Sequence, residues 1–229
     1  MSRTSPTWAA AGLVAMLTGP SLAEPLPNGT IPADGTIPGA IPAGTYRLDP
    51  AHSSLFFRVD HLGMSRYTAR FTSLDATLEI DPEAPGDAVL TATVDPLSID
   101  TAYPFDDLDF DALLTGPDWL DAASHPMITF TSTRVAPNGA HSAEVEGELG
   151  LAGITLPVLL EVTFNGGYAG HVYDPGGSRI GFSAEGILQR SAFGLDFGLP
   201  PPGSTIGVGD RVEFFIEAEF TRPRDPGGG

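Results

Sequence analysis

From Leu48 to Gly63 the chain reads LDPAHSSLFFRVDHLG, and its second half alternates, with Leu55, Phe57, Val59 and His61 on one side and Phe56, Arg58 and Asp60 on the other. Successive side chains of a strand point to opposite faces, so a two-residue period predicts a strand with one buried face. The period returns in ATLEID (Leu78, Ile80), AVLTATVDPLSI (Leu90, Ala92, Val94), MITFTSTRV (Ile128, Phe130), SAEVEGELGL (Val145, Leu149, Leu151) and PVLLEVTF (Val158, Leu160, Val162, Phe164). It continues in RIGFSAEGIL (Ile180, Phe182, Ala184, Leu188). It is clearest in RVEFFIEAEF, where Val212, Phe214, Ile216, Ala218 and Phe220 oppose Glu213, Glu217 and Glu219. Turn clusters separate these segments, and Asn138-Gly139 and Asn165-Gly166-Gly167 are expected at hairpin tips. The prediction is an all-β domain of about eight strands whose apolar faces must be buried, either by two packed sheets or by one sheet closed on itself. Residues 104–122, PFDDLDFDALLTGPDWLDA, break the period and predict short helical turns over one open end of a barrel.

The chain has 229 residues, 41% of them hydrophobic, which suits one sizeable core. Its first 23 residues hold one cation, Arg3, an apolar run from Trp8 to Leu17, a Gly19-Pro20 break and the ending Ser21-Leu22-Ala23. That is the layout of a secretory signal, cleaved after Ala23, and it predicts a periplasmic or secreted protein. The run is short of the ~20 residues that span a bilayer, and no later segment reaches that length, so stable membrane insertion is not expected. Residues 24–44 repeat Gly-Thr-Ile-Pro and read as a Pro/Gly-rich linker; the folded domain is expected over 45–221, with a frayed tail over 222–229.

The formal charge is −18, from 29 acids against 11 bases, all of them Arg. Such a chain is repelled by phosphate backbones and anionic lipid surfaces, which argues against nucleic acid as a partner. The absence of cysteine excludes disulfides, thiol catalysis and thiolate metal sites.

Asp49, His52 and Ser53 have the residue types of a hydrolase triad, but neighbours on a strand face opposite ways, and no Gly-x-Ser-x-Gly turn occurs. They read as a polar strand start whose side chains satisfy backbone groups. His61 lies on an apolar face, either as a hydrogen-bonded core residue or against a ligand head group. His52, His61 and His125 lack the spacing of a known metal site. Asp107, Asp109, Asp111 and Asp118 resemble a calcium loop in spacing, yet Ala112 stands where the sharp turn needs Gly, so a solvated acidic helix edge is the better reading. An eight-stranded barrel has room for one small ligand, and Phe57, Phe130, Phe164, Phe182 and Phe214 would line it.

Beyond the alternation, Tyr46-x-Leu48-Asp49-x-x-His52-Ser53-x-Leu55-x-Phe57-x-Val59-x-His61-Leu62-Gly63 resembles the opening signature of the YceI-like family of exported, lipocalin-like polyisoprenoid-binding proteins. Ser98-Ile99-Asp100-Thr101, Asp118-Trp119-Leu120-Asp121, His125-Pro126-x-Ile128-x-Phe130-x-Ser132, Gly147-x-Leu149-x-Leu151-x-Gly153, Arg190-Ser191-x-Phe193-Gly194 and Gly209-Asp210-x-Val212 follow in family order. Two positions depart: Leu113 stands where the family usually has histidine, and Asp60 where a basic residue is common. The resemblance implies an extended antiparallel lipocalin-like β-barrel whose apolar tunnel carries a long-chain polyisoprenoid or quinone-type lipid, with no catalytic residue, cofactor or metal. The residues expected to meet the ligand are Leu55, Phe57, Val59, His61, Phe130, Leu149, Phe164, Phe182, Arg190, Phe193 and Phe214, with Arg190 and Ser191 either orienting it or fixing a loop. A closed barrel favours a monomer, although relatives of this type can form a homodimer. The alternative is a hydrolase or isomerase acting on a small hydrophobic substrate in the same cavity.

Overall fold

The computed structural model describes residues 41–170, Asp174 and residues 177–223. The expected signal at 1–23 lies outside them, as do most of the expected linker and the end of the tail. The early strands are β1 (Gly44–Leu48), β2 (Ser54–His61), β3 (Ser65–Phe71), β4 (Leu74–Ile80), β5 (Val89–Val94) and β6 (Ile99–Asp100). A short helix α1 (Phe110–Leu114) precedes the long strands β7 (Ile128–Pro137), β8 (Ser142–Leu151), β9 (Ile154–Tyr168), β10 (Gly177–Gln189) and β11 (Val208–Pro223).

All pairings are antiparallel, and β1, β4, β5, β7, β8, β9, β10 and β11 follow one another around a ring that β1 closes against β11. The described residues therefore form a closed barrel of eight strands with almost no helix. The remaining strands extend members of that ring. Strand β11 pairs with β1 near Phe220 and with β2 from Glu217 to Val208, so β1 and β2 are two halves of one bent strand. The pairs β3/β4 and β5/β6 are bent likewise, since β2 pairs β3 and β3 pairs β6.

One local device makes two of the bends. At the first, Asp49 accepts Ala51 N–H at 3.0 Å, Pro50 opens a 3-10 turn, and Ser53 Oγ donates to Asp49 O at 2.8 Å while accepting Glu219 N–H. At the second, Asp95 accepts Leu97 N–H, Pro96 opens the turn, and Ser98 Oγ donates to Asp95 O while accepting Ser73 N–H. The caps and prolines stop the strand, and the serine rejoins it to its neighbour, so no ladder group is stranded. AVLTATVDPLSI, read as one strand, is in this way broken at Asp95–Ser98.

Three further readings are corrected. SRYTARF, overlooked in the sequence, is strand β3, with Tyr67 and Phe71 facing inward. Asn165-Gly166-Gly167 is not a hairpin tip: β9 runs through it, and a register shift opposite Gly181 and Phe182 leaves Asn165 as a bulge. Residues 41–44, assigned to the linker, are engaged, because Ile41 packs on the core and Tyr46 OH donates to Pro42 O at 2.8 Å. Asn138-Gly139 does form the β7–β8 turn, closed by Asn138 N–H to Ser142 O.

Candidate functional site

The alternating faces converge on a single interior. Every strand of the ring sends its apolar positions inward, and together they enclose a cavity of about 840 Å³. Its wall runs from Ile41, Pro82, Pro85 and His141 at one end, the base, to His61, Tyr103, Trp119 and Val208 at the other, the capped end. The longest strand, β11, has 16 residues. At about 3.3 Å per residue and a tilt of about 40°, this gives a barrel wall roughly 40 Å tall.

The two ends differ. Around the base, Tyr46, Ile180 and Phe220 are fully or almost fully buried and pack with Ala76, Leu78 and Ala218 into a continuous core. Farther along, Leu55, Phe57, Val59, Phe130, Leu149, Val212 and Phe214 point inward yet remain only half-buried, since they face the void. Two glycines widen it. A Cβ at Gly147 would fall 2.3 Å from the Phe130 ring, and one at Gly186 would fall 2.4 Å from Phe214. The missing side chains let both rings lie along the wall instead of across the lumen.

Loop 101–127 roofs the capped end. Asp109 caps α1 by accepting Ala112 N–H, and Asp111 accepts both the N–H and the hydroxyl of buried Thr101. Two carboxylates of the calcium-like spacing thus serve as structural acceptors, each through one oxygen. Phe110 meets Tyr67 edge-on, and Trp119 packs on Phe197 of loop 194–207. Beneath them Arg190 is 5% exposed and donates through Nε to Gly209 O, Nη1 to Leu195 O and Nη2 to Val208 O, with its guanidinium over the Trp119 ring. Burial pulls its pKa below the usual arginine value, against Asp210 and Asp196. Ser191 donates N–H and O–H to Asp210. The pair thus ties loop 194–207 to β11, and Arg190 also borders the cavity.

Of the residues expected to meet a ligand, Leu55, Phe57, Val59, His61, Phe130, Leu149, Phe164, Phe182, Arg190 and Phe214 line the cavity. Phe193 does not: it is buried in the 3-10 turn after β10. His61 is not a core histidine either, because it sits exposed at the mouth where β2 ends. The lining residues that sequence reasoning missed include those of β3 and the cap, Tyr67, Phe71, Tyr103, Phe110 and Trp119. The family departures Leu113 and Asp60 are both exposed and outside the cavity wall.

The apparent triad lies on the outer wall. His52 Nδ1 meets Asp49 Oδ2 at 2.8 Å, while the Ser53 hydroxyl is given to Asp49 O, so histidine and serine are not joined. Arg179 Nη1 bridges Asp49 at 2.6 Å and Glu219 at 2.5 Å, and its Nε reaches Asp174. Hydrogen bonding from Arg179, opposed by burial and assisted by His52 and Ala51 N–H, holds the Asp49 carboxyl down to about 2. Among the described residues, Asp49, His52 and Glu219 are the one group able to converge on a metal, and the guanidinium already serves its carboxylates.

The profile of the YceI-like domain matches residues 46–220. Protein YceI of Escherichia coli O17:K52:H18 is 33% identical over 178 residues, 76% of this chain and 88% of that protein. The crystal structure of Burkholderia cenocepacia BcnA superposes with a TM-score of 0.63 at 24% identity, covering 76% of this chain and 99% of that one. A polyisoprenoid binding domain from Saccharophagus degradans, implicated in plant cell wall breakdown, superposes with a TM-score of 0.53 at 15% identity over 80% and 100% of the two chains.

Proposed function

The chain belongs to the YceI-like domain family, and we propose that it is an exported carrier that holds one long-chain polyisoprenoid or isoprenoid quinone in its tunnel. The observation that carries this reading is the half-buried state of the inward-facing Phe57, Phe130 and Phe214 around the void. Large apolar side chains facing a void lose packing partners, and a bound chain supplies them. Burying a prenyl tail contributes about 0.8 kcal/mol per CH₂ before ordering costs, so affinity needs no ionic contact.

The form of the void supports a long, thin ligand over a compact one. The wall is largely apolar from Ile128 down to Ile80, interrupted by Asp75, Thr93 and Thr129, and polar groups such as His61, Tyr103 and His141 stand near its ends. A neutral head group suits this layout, because the one lining guanidinium, Arg190, already gives its donors to three backbone carbonyls. The leader expected in residues 1–23 supports export to the periplasm or beyond it, where a long isoprenoid is nearly insoluble and needs a container. The enzyme alternative is less favoured, since Asp49, His52 and Ser53 lie outside the tunnel wall, which His61 does line.

Trp119 lines the tunnel, and Trp8 lies in the expected leader, so the chain cleaved after Ala23 has one tryptophan. Titrating delipidated protein with a long-chain prenyl quinone should quench Trp119 to saturation at one quinone per chain. A short quinone without the tail should bind at least a hundredfold more weakly. Equal binding of the two would contradict a tail-binding tunnel.

A further inference from the structure

The outside of the barrel is acidic and mostly polar, yet its exposed large apolar side chains are unevenly placed. Among the described residues, eight of the thirteen lie at the capped end, including Met64, Phe105, Leu108, Met127, Phe197 and Ile206, from 43% exposed at Leu108 to 78% at Met64. They come from separate loops that the fold brings to one rim. Leu62 N–H donates to Gly207 O at 2.8 Å, which sets Met64 and Ile206 on adjoining turns. Loop 101–127 supplies Phe105, Leu108 and Met127, and Gly153 at the β8–β9 tip leaves room for the His125 ring of that loop. A rim of this kind is not explained by the folding of the described residues, because none of them covers it.

The rim is continuous with the tunnel. Phe105 packs on Tyr103 and Tyr103 on Phe110, both tunnel-lining; Phe197 packs on Trp119, which lines the tunnel too. Two aromatic chains thus lead from exposed surface to the interior. From this we infer that the capped end is a docking face for a lipid bilayer with uncharged or zwitterionic head groups, from which the ligand passes into the tunnel without crossing water. The inference rests on the lipid-carrier reading and adds where the lipid enters and leaves.

Charge selects the occupant. The same end carries Asp60, Asp106, Asp107, Asp118 and Asp196, all exposed, against the exposed cations Arg66 and Arg211. Two such faces would repel one another, as would an anionic bilayer, whereas a zwitterionic surface bears no net charge to oppose. Among the described residues no helix is long and apolar enough to cross a membrane, which fits a face that rests on the bilayer.

The test is co-flotation of the full carrier with phosphatidylcholine vesicles, and with vesicles half phosphatidylglycerol, at low salt. Wild type should float with phosphatidylcholine and at least fivefold less with the anionic vesicles. Met64→Ser/Leu108→Ser/Ile206→Ser alters no lining residue and should reduce phosphatidylcholine binding at least tenfold. Leu159→Ser/Ile187→Ser, on the outer wall, should leave it unchanged. Lipid content of each preparation, read by mass spectrometry, keeps the two proposals apart: an empty tunnel counts against the carrier, and vesicle binding alone decides the docking face. Equal flotation of rim and wall variants overturns the inference. So does a wild-type protein that ignores vesicles but forms a dimer that the rim variant loses, for then a second copy covers the rim.

Discussion

The base of the barrel and its middle are built from the same two-residue alternation, yet the wall is closely packed at the base and loosely packed in the middle. At the base, Tyr46, Ile180 and Phe220 close on the small side chains Ala76 and Ala218 and leave little accessible surface. In the middle, equally large rings face inward and stay half-buried, because Phe130 lies over Gly147 and Phe214 over Gly186. Alternation decides which face is buried; the pairing of large residues with small ones on neighbouring strands decides whether the space is filled.

The contrast can be broken by mutation. Phe220→Ala removes an almost fully buried ring from the closely packed base and should cost about 3–5 kcal/mol in chemical denaturation. Phe214→Ala removes one that already borders a void, and should cost roughly half as much or less. Similar costs would mean that the two regions are packed alike.

Gly186→Ala attacks the device that keeps the middle open. Its methyl group must displace the Phe214 ring into the lumen, so stability should fall by about 1–3 kcal/mol and quinone capacity by at least tenfold. A Gly186→Ala/Phe214→Leu double variant should recover much of that capacity, because the smaller side chain no longer conflicts with the methyl.

A smaller effect tests the outer wall. Asp49 has its carboxyl held down to about 2, so its contribution is complete above the ordinary aspartate range near pH 4 and disappears as pH falls through about 2. Over that window wild type should lose on the order of 1–2 kcal/mol more than Asp49→Asn, read as midpoints of urea unfolding. Parallel curves would show that the Arg179 bridge contributes nothing to the bent strand.

The inward faces were legible in the sequence because a period of two survives even across a bulge or bend. Strand β3 carries the same period, with Tyr67, Ala69 and Phe71 against Arg66, Thr68 and Arg70, so its inward face is legible too. Asn165-Gly166-Gly167 reads locally like a turn, and only its partners Gly181 and Phe182 show that it is a bulge. Phe193 was assigned by motif instead of by face, and it falls where the strand period has already ended. His61 was on the correct face but at the strand's last position, where the wall opens. The role of Arg190 depends on three carbonyls brought from Leu195, Val208 and Gly209, which no local pattern announces. Hollowness itself required the β1–β11 closure and the two glycine seats, neither of which is a property of any one segment.

Native mass spectrometry of wild type beside Ala184→Phe tests the central claim most directly. Ala184 faces the tunnel on β10, and a ring there fills space at a cost of about 1 kcal/mol or more in stability. Wild type should carry one isoprenoid mass per chain and the variant should be bare with its barrel intact. Wild type that stays bare after incubation with prenyl quinone, or a variant that keeps the same lipid mass, would contradict the account.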